Sequence, residues 1–337
     1  MEGSSEMIAI SASDIRENLS MTECIAVMEN LFLREGGAIS SQPLRTLVRV
    51  DPESVILSMP SLSRNLKRFA VKIVTEFKSN PDKFGIAAQG GLIVLIDSED
   101  SRVLAVLDAP TVTAVRTGAV SGLATRILAR EDSRKVVVVG SGQQARTQLE
   151  AVCAVRPIST VKVFSRDYSH AERFARDMSA ELGLLVIPFR DRHEASKGAD
   201  IAIIATNSEV PAFEWADVPP GCHINSVGVL PERRELDDET IEGSKLFVDI
   251  REGVLKEAGD VMHAIEVGRI GENHIVGDLS DLAAGRIGGR TSDDDVTLFK
   301  STGFALQDVY ASSFVYDKLS RDEAATKRRF WADLAGT

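Results

Sequence analysis

From residue 136 onward, short apolar runs alternate with stretches of helical spacing. Residues 136–139, 161–164, 184–188, 200–205, 223–227 and 245–249 are apolar on both faces, and 145–155, 171–182 and 192–198 between them carry apolar positions at helical intervals. Strands without a polar face, each followed by a helix, predict a parallel sheet covered on both sides, because a parallel connection needs a crossover. The earlier part has a different rhythm. Residues 44–50, 55–59, 69–76, 91–96 and 103–107 read as closely spaced strands with few helices between them, which predicts a mostly antiparallel sheet. Residues 111–129, just after Pro110, are strongly helical and link the two patterns. Residues 298–319 read as an amphipathic helix that returns to pack on the first part. The fold class is α/β, with one domain over 1–120 completed by 305–337 and a doubly wound parallel-sheet domain over 121–304.

Composition narrows the partners. The chain has 337 residues, 44% of them hydrophobic and 26% charged, as a packed two-domain protein requires. A formal net charge of −11 argues against nucleic acid or an anionic membrane as partner, while leaving room for a local basic pocket. No apolar run approaches the roughly 20 residues of a membrane span. The first residues lack the basic region and apolar core of a signal peptide. Cys24, Cys153 and Cys222 are odd in number and set in apolar contexts, so reduced thiols and a cytoplasmic location are expected. The five histidines show no metal-ligand spacing, and no metal site is expected.

The apolar run 136–139 leads directly into Gly140, Ser141, Gly142, Gln143, Gln144 and Ala145 and then into helical sequence. This is the strand, glycine-rich turn and helix start of a Rossmann-type dinucleotide site. Gly140 allows the tight turn, Gly142 lets a pyrophosphate approach the backbone, and Ala145 lets helix and strand pack closely. The next strand ends at Phe164, about 20 residues on, where such folds read the ribose. Ser165 stands where an acid would select NAD(H), and Arg166 follows it, which favours NADP(H). Asp167 is the counter-argument and keeps NAD(H) open. Ala205, Thr206, Asn207 and Ser208 close the fourth strand, where a nicotinamide ribose usually lies, although an ordinary capped helix starting at Ser208 explains them nearly as well.

Three basic residues of the first part sit inside apolar sequence: Arg45, Lys72 and Arg116. A charge in such a setting is costly unless paired. With no matching acids nearby in sequence, the three suit a substrate carboxylate, which arginine grips with two parallel hydrogen bonds and lysine meets as a point charge or proton donor. The alternative is that each turns to solvent or to a distant acid.

With these residues in view, the chain resembles the ornithine cyclodeaminase/mu-crystallin family over nearly its whole length. The resemblance rests on Val71-Lys-Ile-Val74, Gly90-Gly-Leu-Ile-Val-Leu-Ile-Asp97, Thr113-Ala-Val-Arg-Thr-Gly-Ala119, the Gly140–Arg146 turn, Arg234-Glu-Leu236, Glu257-Ala-Gly-Asp260, Gly289-Arg290 and Thr297-Leu-Phe-Lys-Ser-Thr-Gly303. It implies a homodimer built through a substrate-binding and dimerisation domain. It also implies that Arg45, Lys72 and Arg116 face an amino- or imino-acid, with Thr117 and Arg116 beside the cofactor and Ser301 lining the nicotinamide. Val227 and Gly228 fall in the loop after the fifth strand. There the family's cyclodeaminases carry a catalytic aspartate, whereas this chain has Leu230, or Val229, at that place. Leucine can neither accept a proton nor orient water.

The expectation is therefore an NAD(P)-dependent oxidoreductase that reduces an imino acid, a cyclic ketimine or open-chain 2-imino acid, or runs the reverse dehydrogenation. Lys72 and Arg116 are the catalytic pair, and Arg45 and Leu230 complete substrate binding. Three other readings stay open: a cyclodeaminase-type lyase with tightly held NAD, a synthase-like member that oxidatively cleaves an N-substituted amino acid, and a dinucleotide-binding protein without turnover.

Overall fold

The computed structural model describes residues 7–39, 43 and 45–321. Residues 1–6, 40–42, 44 and 322–337 lie outside the described residues. They include both ends of the expected first domain and Leu44, at the start of its first expected strand. The chain divides into two compact units, one of residues 1–116 and 304–337 and the other of residues 117–303. The helix Ala109–Leu128 contains the first boundary, between Arg116 and Thr117.

The first unit is built on a six-stranded sheet: β1 Ile8–Ile10, β2 Thr46–Asp51, β3 Ser54–Ser63, β4 Arg68–Phe77, β5 Gln89–Asp97 and β6 Val103–Asp108. Its order is β1-β6-β5-β4-β3-β2; β2 to β6 run antiparallel in succession, and β1 joins β6 in parallel. The helix Ala305–Leu319 packs against β3, β4 and β5 and against the helix Met21–Ile39. That earlier helix was not read from the pattern, although its signal is present. Met21, Cys24, Ile25, Met28, Leu31 and Phe32 are buried at intervals of three and four, one face of a helix.

The second unit carries an eight-stranded sheet, parallel throughout: β7 Lys135–Val139, β8 Thr160–Phe164, β9 Leu185–Phe189, β10 Ile201–Ile204, β11 His223–Ser226, β12 Lys245–Val248, β13 Ile275–Asp278 and β14 Thr297–Lys300. The order is β13-β12-β14-β11-β10-β7-β8-β9. Strand order reverses beside β7, and in open α/β sheets ligands bind at such a switch point, outside the carboxyl ends of the strands.

One expected element is corrected. Residues 298–319 do not form a single helix: β14 enters the sheet between β11 and β12, and the helix starts only at Ala305. Leu298 and Phe299 are fully buried in β14. Four residues are too few to show a period, so the strand was absorbed into the helical pattern that follows it.

Candidate active site

In the second unit the turn after β7 meets the end of β10. Gly140 has φ +111°, and a Cβ there would strike the Ala205 carbonyl oxygen, so only glycine fits. Gly142 is the N-cap of the helix Gln143–Val155, which has no side-chain cap, and a Cβ on Gly142 would meet nothing within 4 Å. Free first-turn amides at the positive end of a helix, beside open space, fit a dinucleotide pyrophosphate. Gln143 is exposed and Gln144 half-buried, while Ala145 is fully buried under the helix. Thr117 is nearly buried and its carbonyl accepts a bond from Gln148 Nε2 at 3.2 Å.

Ser165, Arg166 and Asp167 follow β8. The Ser165 and Ser141 hydroxyls are 3.1 Å apart. Asp167 is the N-cap of the helix Tyr168–Leu182, with its carboxylate taking the Ser169 amide at 2.8 Å and hydroxyl at 2.7 Å. Its acid is thus occupied, while Arg166 is exposed and makes no ion pair among the described residues. A cavity of about 280 Å³ beside this loop is bordered by Ser141, Gly142, Arg146, His170 and Arg173. Arg146 is paired with Asp177 at 2.8 Å, whereas Arg173 has no ion pair among the described residues. His170 and Arg173 were not anticipated from the sequence. They lie one helical turn apart, a spacing that would have placed them on one face.

Ala205, Thr206, Asn207 and Ser208 follow β10 in irregular backbone, so the helix start considered at Ser208 does not form. Val227 and Gly228 follow β11, and Ser301 follows β14, so every expected cofactor residue of this unit after Thr117 borders the carboxyl edge of the sheet. Ser301 is held there: its hydroxyl donates to Asp249 at 2.8 Å, and the Gly303 amide donates to the same carboxylate at 2.7 Å. Burial raises the pKa of Asp249.

A group of buried charges that the sequence reading passed over ties these loops together. Glu235 accepts from the Thr206 amide at 2.6 Å, the Ser226 hydroxyl at 2.8 Å and the Gly228 amide at 2.6 Å. Lys300 Nζ donates to Asp260 at 2.7 Å and to the Ser226 hydroxyl at 2.8 Å. Glu235, Asp260 and Lys300 are all buried, and burial raises the Glu235 pKa against the pull of Lys300. The signal existed. Lys300 is a cation within Thr297-Leu-Phe-Lys300, the same kind of context that singled out Lys72. Leu230 lies in the loop that Glu235 closes; it is 8% exposed and its φ is +101°.

In the first unit the expected basic residues do converge. Lys72 lies on the face of β4 that the helix Ala305–Leu319 covers, and Arg116 lies on the helix Ala109–Leu128. Their partner was not foreseen: Asp308 Oδ2 is 2.7 Å from Lys72 Nζ, and Asp308 Oδ1 accepts from Arg116 Nε at 3.1 Å. Arg116 Nη1 donates to Gln307 Oε1 at 2.5 Å, so two of its three nitrogens are already engaged. For Lys72 and Arg116 the alternative of a distant acid is what the structure shows. An acid is present, but it comes from a helix nearly two hundred residues later, beyond the reach of local pattern. Burial pushes Lys72 down to about 7; Asp308 acts against this, while Arg116 and Arg45 add to it. Arg45 is half-buried just before β2, close enough for its charge to reach Lys72.

Fold and site together define a dinucleotide-binding α/β protein with a separate buried cluster of cations. Residues 5–323 match the ornithine cyclodeaminase/mu-crystallin family. The chain belongs to that family. It is 34% identical over 316 residues to a Δ1-pyrroline-2-carboxylate reductase of Bacillus cereus, covering 93% of this chain and 96% of the relative. Among solved structures, Thermococcus litoralis Δ1-pyrroline-2-carboxylate reductase in complex with NADH and L-proline superposes with a TM-score of 0.90 at 39% identity, covering 94% of this chain and 98% of that one. An archaeal alanine dehydrogenase dimer with bound NAD gives 0.86 at 30% identity, covering 94% and 97%.

Proposed function

We propose that this chain is an NAD(P)H-dependent imino-acid reductase. It converts a cyclic ketimine or open-chain 2-imino acid to the amino acid, or runs the reverse dehydrogenation. The observation that carries the reading is the buried Lys72–Asp308–Arg116 cluster, in which one carboxylate is shared by two cations. Burying that excess of positive charge is costly, and a substrate carboxylate offsets it. The bound reduced nicotinamide supplies a hydride, two electrons, to the carbon beside that carboxylate. Arg45 and Arg116 hold the carboxylate, and Lys72, titrating near neutrality, gives the proton that the imine nitrogen gains. Leu230 takes the place where the family's cyclodeaminases have an acid, which suits a substrate without a distal ammonium. Relatives named as Δ1-pyrroline-2-carboxylate reductases make that ketimine the first substrate to try.

In the second unit, Gly140 to Gln144 and Thr117 hold the pyrophosphate, with Ala145 packing helix on strand beneath them, and Ala205 to Ser208, Val227, Gly228 and Ser301 line the nicotinamide ribose and ring. Arg166, with its capped neighbour Asp167, favours NADPH over NADH. The uncovered face of the first sheet supports a homodimer. Leu62, Phe69, Ile73 and Leu92 stand together in cross-strand register there, with Leu62, Ile73 and Leu92 37–39% exposed. No helix among the described residues is long and apolar enough to cross a membrane, and Cys24, Cys153 and Cys222 are all free, which fits a cytoplasmic enzyme. The test follows nicotinamide absorbance with NADPH and NADH against Δ1-pyrroline-2-carboxylate, Δ1-piperideine-2-carboxylate and 2-oxo acids with ammonia. Oxidation that Lys72→Ala and Arg116→Ala abolish supports the reading; reduction that survives both substitutions overturns the site.

A further inference from the structure

We propose that Asp308 is a positioning residue of the reduction: its carboxylate fixes Lys72 and Arg116 side by side and keeps the Lys72 proton available for the imine nitrogen. The inference rests on the functional reading above for its last clause only. The geometry is the first support. Asp308 divides its two oxygens between the two cations, Oδ2 to Lys72 at 2.7 Å and Oδ1 to Arg116 at 3.1 Å. Gln307, the preceding residue on the same helix, takes Arg116 Nη1 through Oε1. The guanidinium is therefore held along one side by a single turn of helix, and no rotamer search is left for substrate binding to arrest.

Charge balance is the second support. Asp308, Lys72 and Arg116 are 1%, 2% and 4% exposed. A purely structural cluster at this depth would be expected to be neutral, because each uncompensated buried ion is expensive. Here the groups whose charges bear on Lys72 are Asp308 from one helix, Arg116 from another and Arg45 from the segment before β2, with the neutral Thr113 hydroxyl 3.5 Å away. One anion among them retains the proton on Lys72, and two cations and burial expel it. Without Asp308, burial and the charges of Arg116 and Arg45 would all favour the neutral amine.

The chemistry balances simply. A bound reduced nicotinamide would supply the hydride of the new C–H bond; an N–H bond of the Lys72 ammonium breaks, and that proton forms the N–H bond of the product amine. Lys72 is left neutral and takes its next proton from water. In the oxidative direction the neutral Lys72 accepts the proton, and Asp308 stabilises the ammonium that forms.

The experiment titrates Lys72 directly, by NMR of protein carrying 13Cε-labelled lysine, with the resonance assigned by its loss in Lys72→Met. Wild type, Asp308→Asn and Asp308→Glu are compared, with thermal unfolding to confirm that each is folded. Lys72 is expected to titrate near 7 in the wild type, at least about one unit lower in Asp308→Asn, and near the wild-type value in Asp308→Glu. In steady-state reduction, the alkaline limb of kcat should move down by the same interval in Asp308→Asn. That is about a tenfold loss at pH 8, with the imino-acid KM unchanged or lower because a competing carboxylate is gone. An active enzyme in which Asp308→Asn leaves the Lys72 titration unmoved overturns the role of Asp308 alone. A folded wild type inert on every imine overturns the functional reading and the proton transfer with it, while the titration still decides whether Asp308 governs Lys72.

Discussion

Gly140 and Ala205 lie against each other at the carboxyl ends of neighbouring strands, with no room for a methyl group between Gly140 Cα and the Ala205 carbonyl oxygen. Gly142, two residues on, faces open space. The two glycines therefore respond differently to alanine. Gly140→Ala forces the strand ends apart at a positive φ and should cost about 2 kcal/mol or more of stability. Gly142→Ala should unfold like the wild type in urea yet bind NADPH more weakly by about tenfold or more, because its Cβ would enter the space proposed for the pyrophosphate. Denaturant midpoints and fluorescence titration with the dinucleotide separate the two effects.

Arg173 borders the cavity beside the loop after β8 and exposed Arg166 lies in that loop, and neither makes an ion pair among the described residues. Replacing both with alanine should raise the NADPH Kd about tenfold or more while leaving the NADH Kd within about twofold, since only the former has a 2′-phosphate to lose. The NADPH affinity of the wild type should also fall more steeply with salt. Equal loss for both cofactors would place the 2′-phosphate elsewhere.

Leu230 combines burial with a backbone conformation that side chains disfavour. Its burial contributes about 2 kcal/mol, and its strain costs about 1–3 kcal/mol. Leu230→Gly loses the first and relieves the second, so its stability should fall close to the wild type. Leu230→Ala loses burial and keeps the strain, and should be the less stable of the two. That order, glycine above alanine, is the reverse of the order at most buried positions and can be read from urea midpoints.

Lys300 is a shared counter-ion for buried carboxylates, paired with Asp260 at 2.7 Å and 3.8 Å from Glu235. Lys300→Met leaves both acids buried without a cation and should cost about 3–5 kcal/mol at neutral pH. The deficit should shrink in mildly acidic solution, because burial raises the Glu235 pKa and Lys300 no longer opposes it. Urea unfolding of both proteins at pH 7.5 and 5.5 tests the pair of expectations.

His223 is buried with Nδ1 3.0 Å from the Thr297 hydroxyl and Nε2 without a partner, and burial pushes its pKa down to about 3 from 6.5. Between those values the unfolded chain binds a proton that the folded chain refuses. Stability from this group should thus fall as pH drops below 6.5, by about 1.4 kcal/mol per unit. The difference between wild type and His223→Gln, measured by urea unfolding from pH 7 to 5, isolates that slope from the carboxylates that titrate in the same range.

The parallel sheet was legible because its signals are local. Val136 to Val139 and the Gly140 turn carry strand, turn and helix start within a dozen residues. β14 was not legible, because its neighbours β11 and β12 come from much earlier in the chain and its four residues have no period of their own. The basic half of the cluster in the first unit stood out as charge in apolar sequence, but Asp308 did not. On a helix an aspartate among mixed residues reads as a solvated face, and only the packing of Ala305–Leu319 onto β4 turns it inward. Glu235 is illegible for another reason: its donors, the Thr206 amide, the Ser226 hydroxyl and the Gly228 amide, come together only when the loops after β10 and β11 fold.

The helix Ala305–Leu319 sets an order of events during synthesis. The first unit is begun by the earliest residues, yet its sheet is covered, and the charges of Lys72 and Arg116 are countered, only by residues near the end of the chain. On the ribosome the dinucleotide-binding unit has its complete sequence first. The earlier unit must wait, with an uncovered sheet face and two uncompensated cations. A chain released before residue 304 would therefore carry the whole second unit and a first unit unable to close, and it is this half-made protein that chaperones and proteases would be expected to meet.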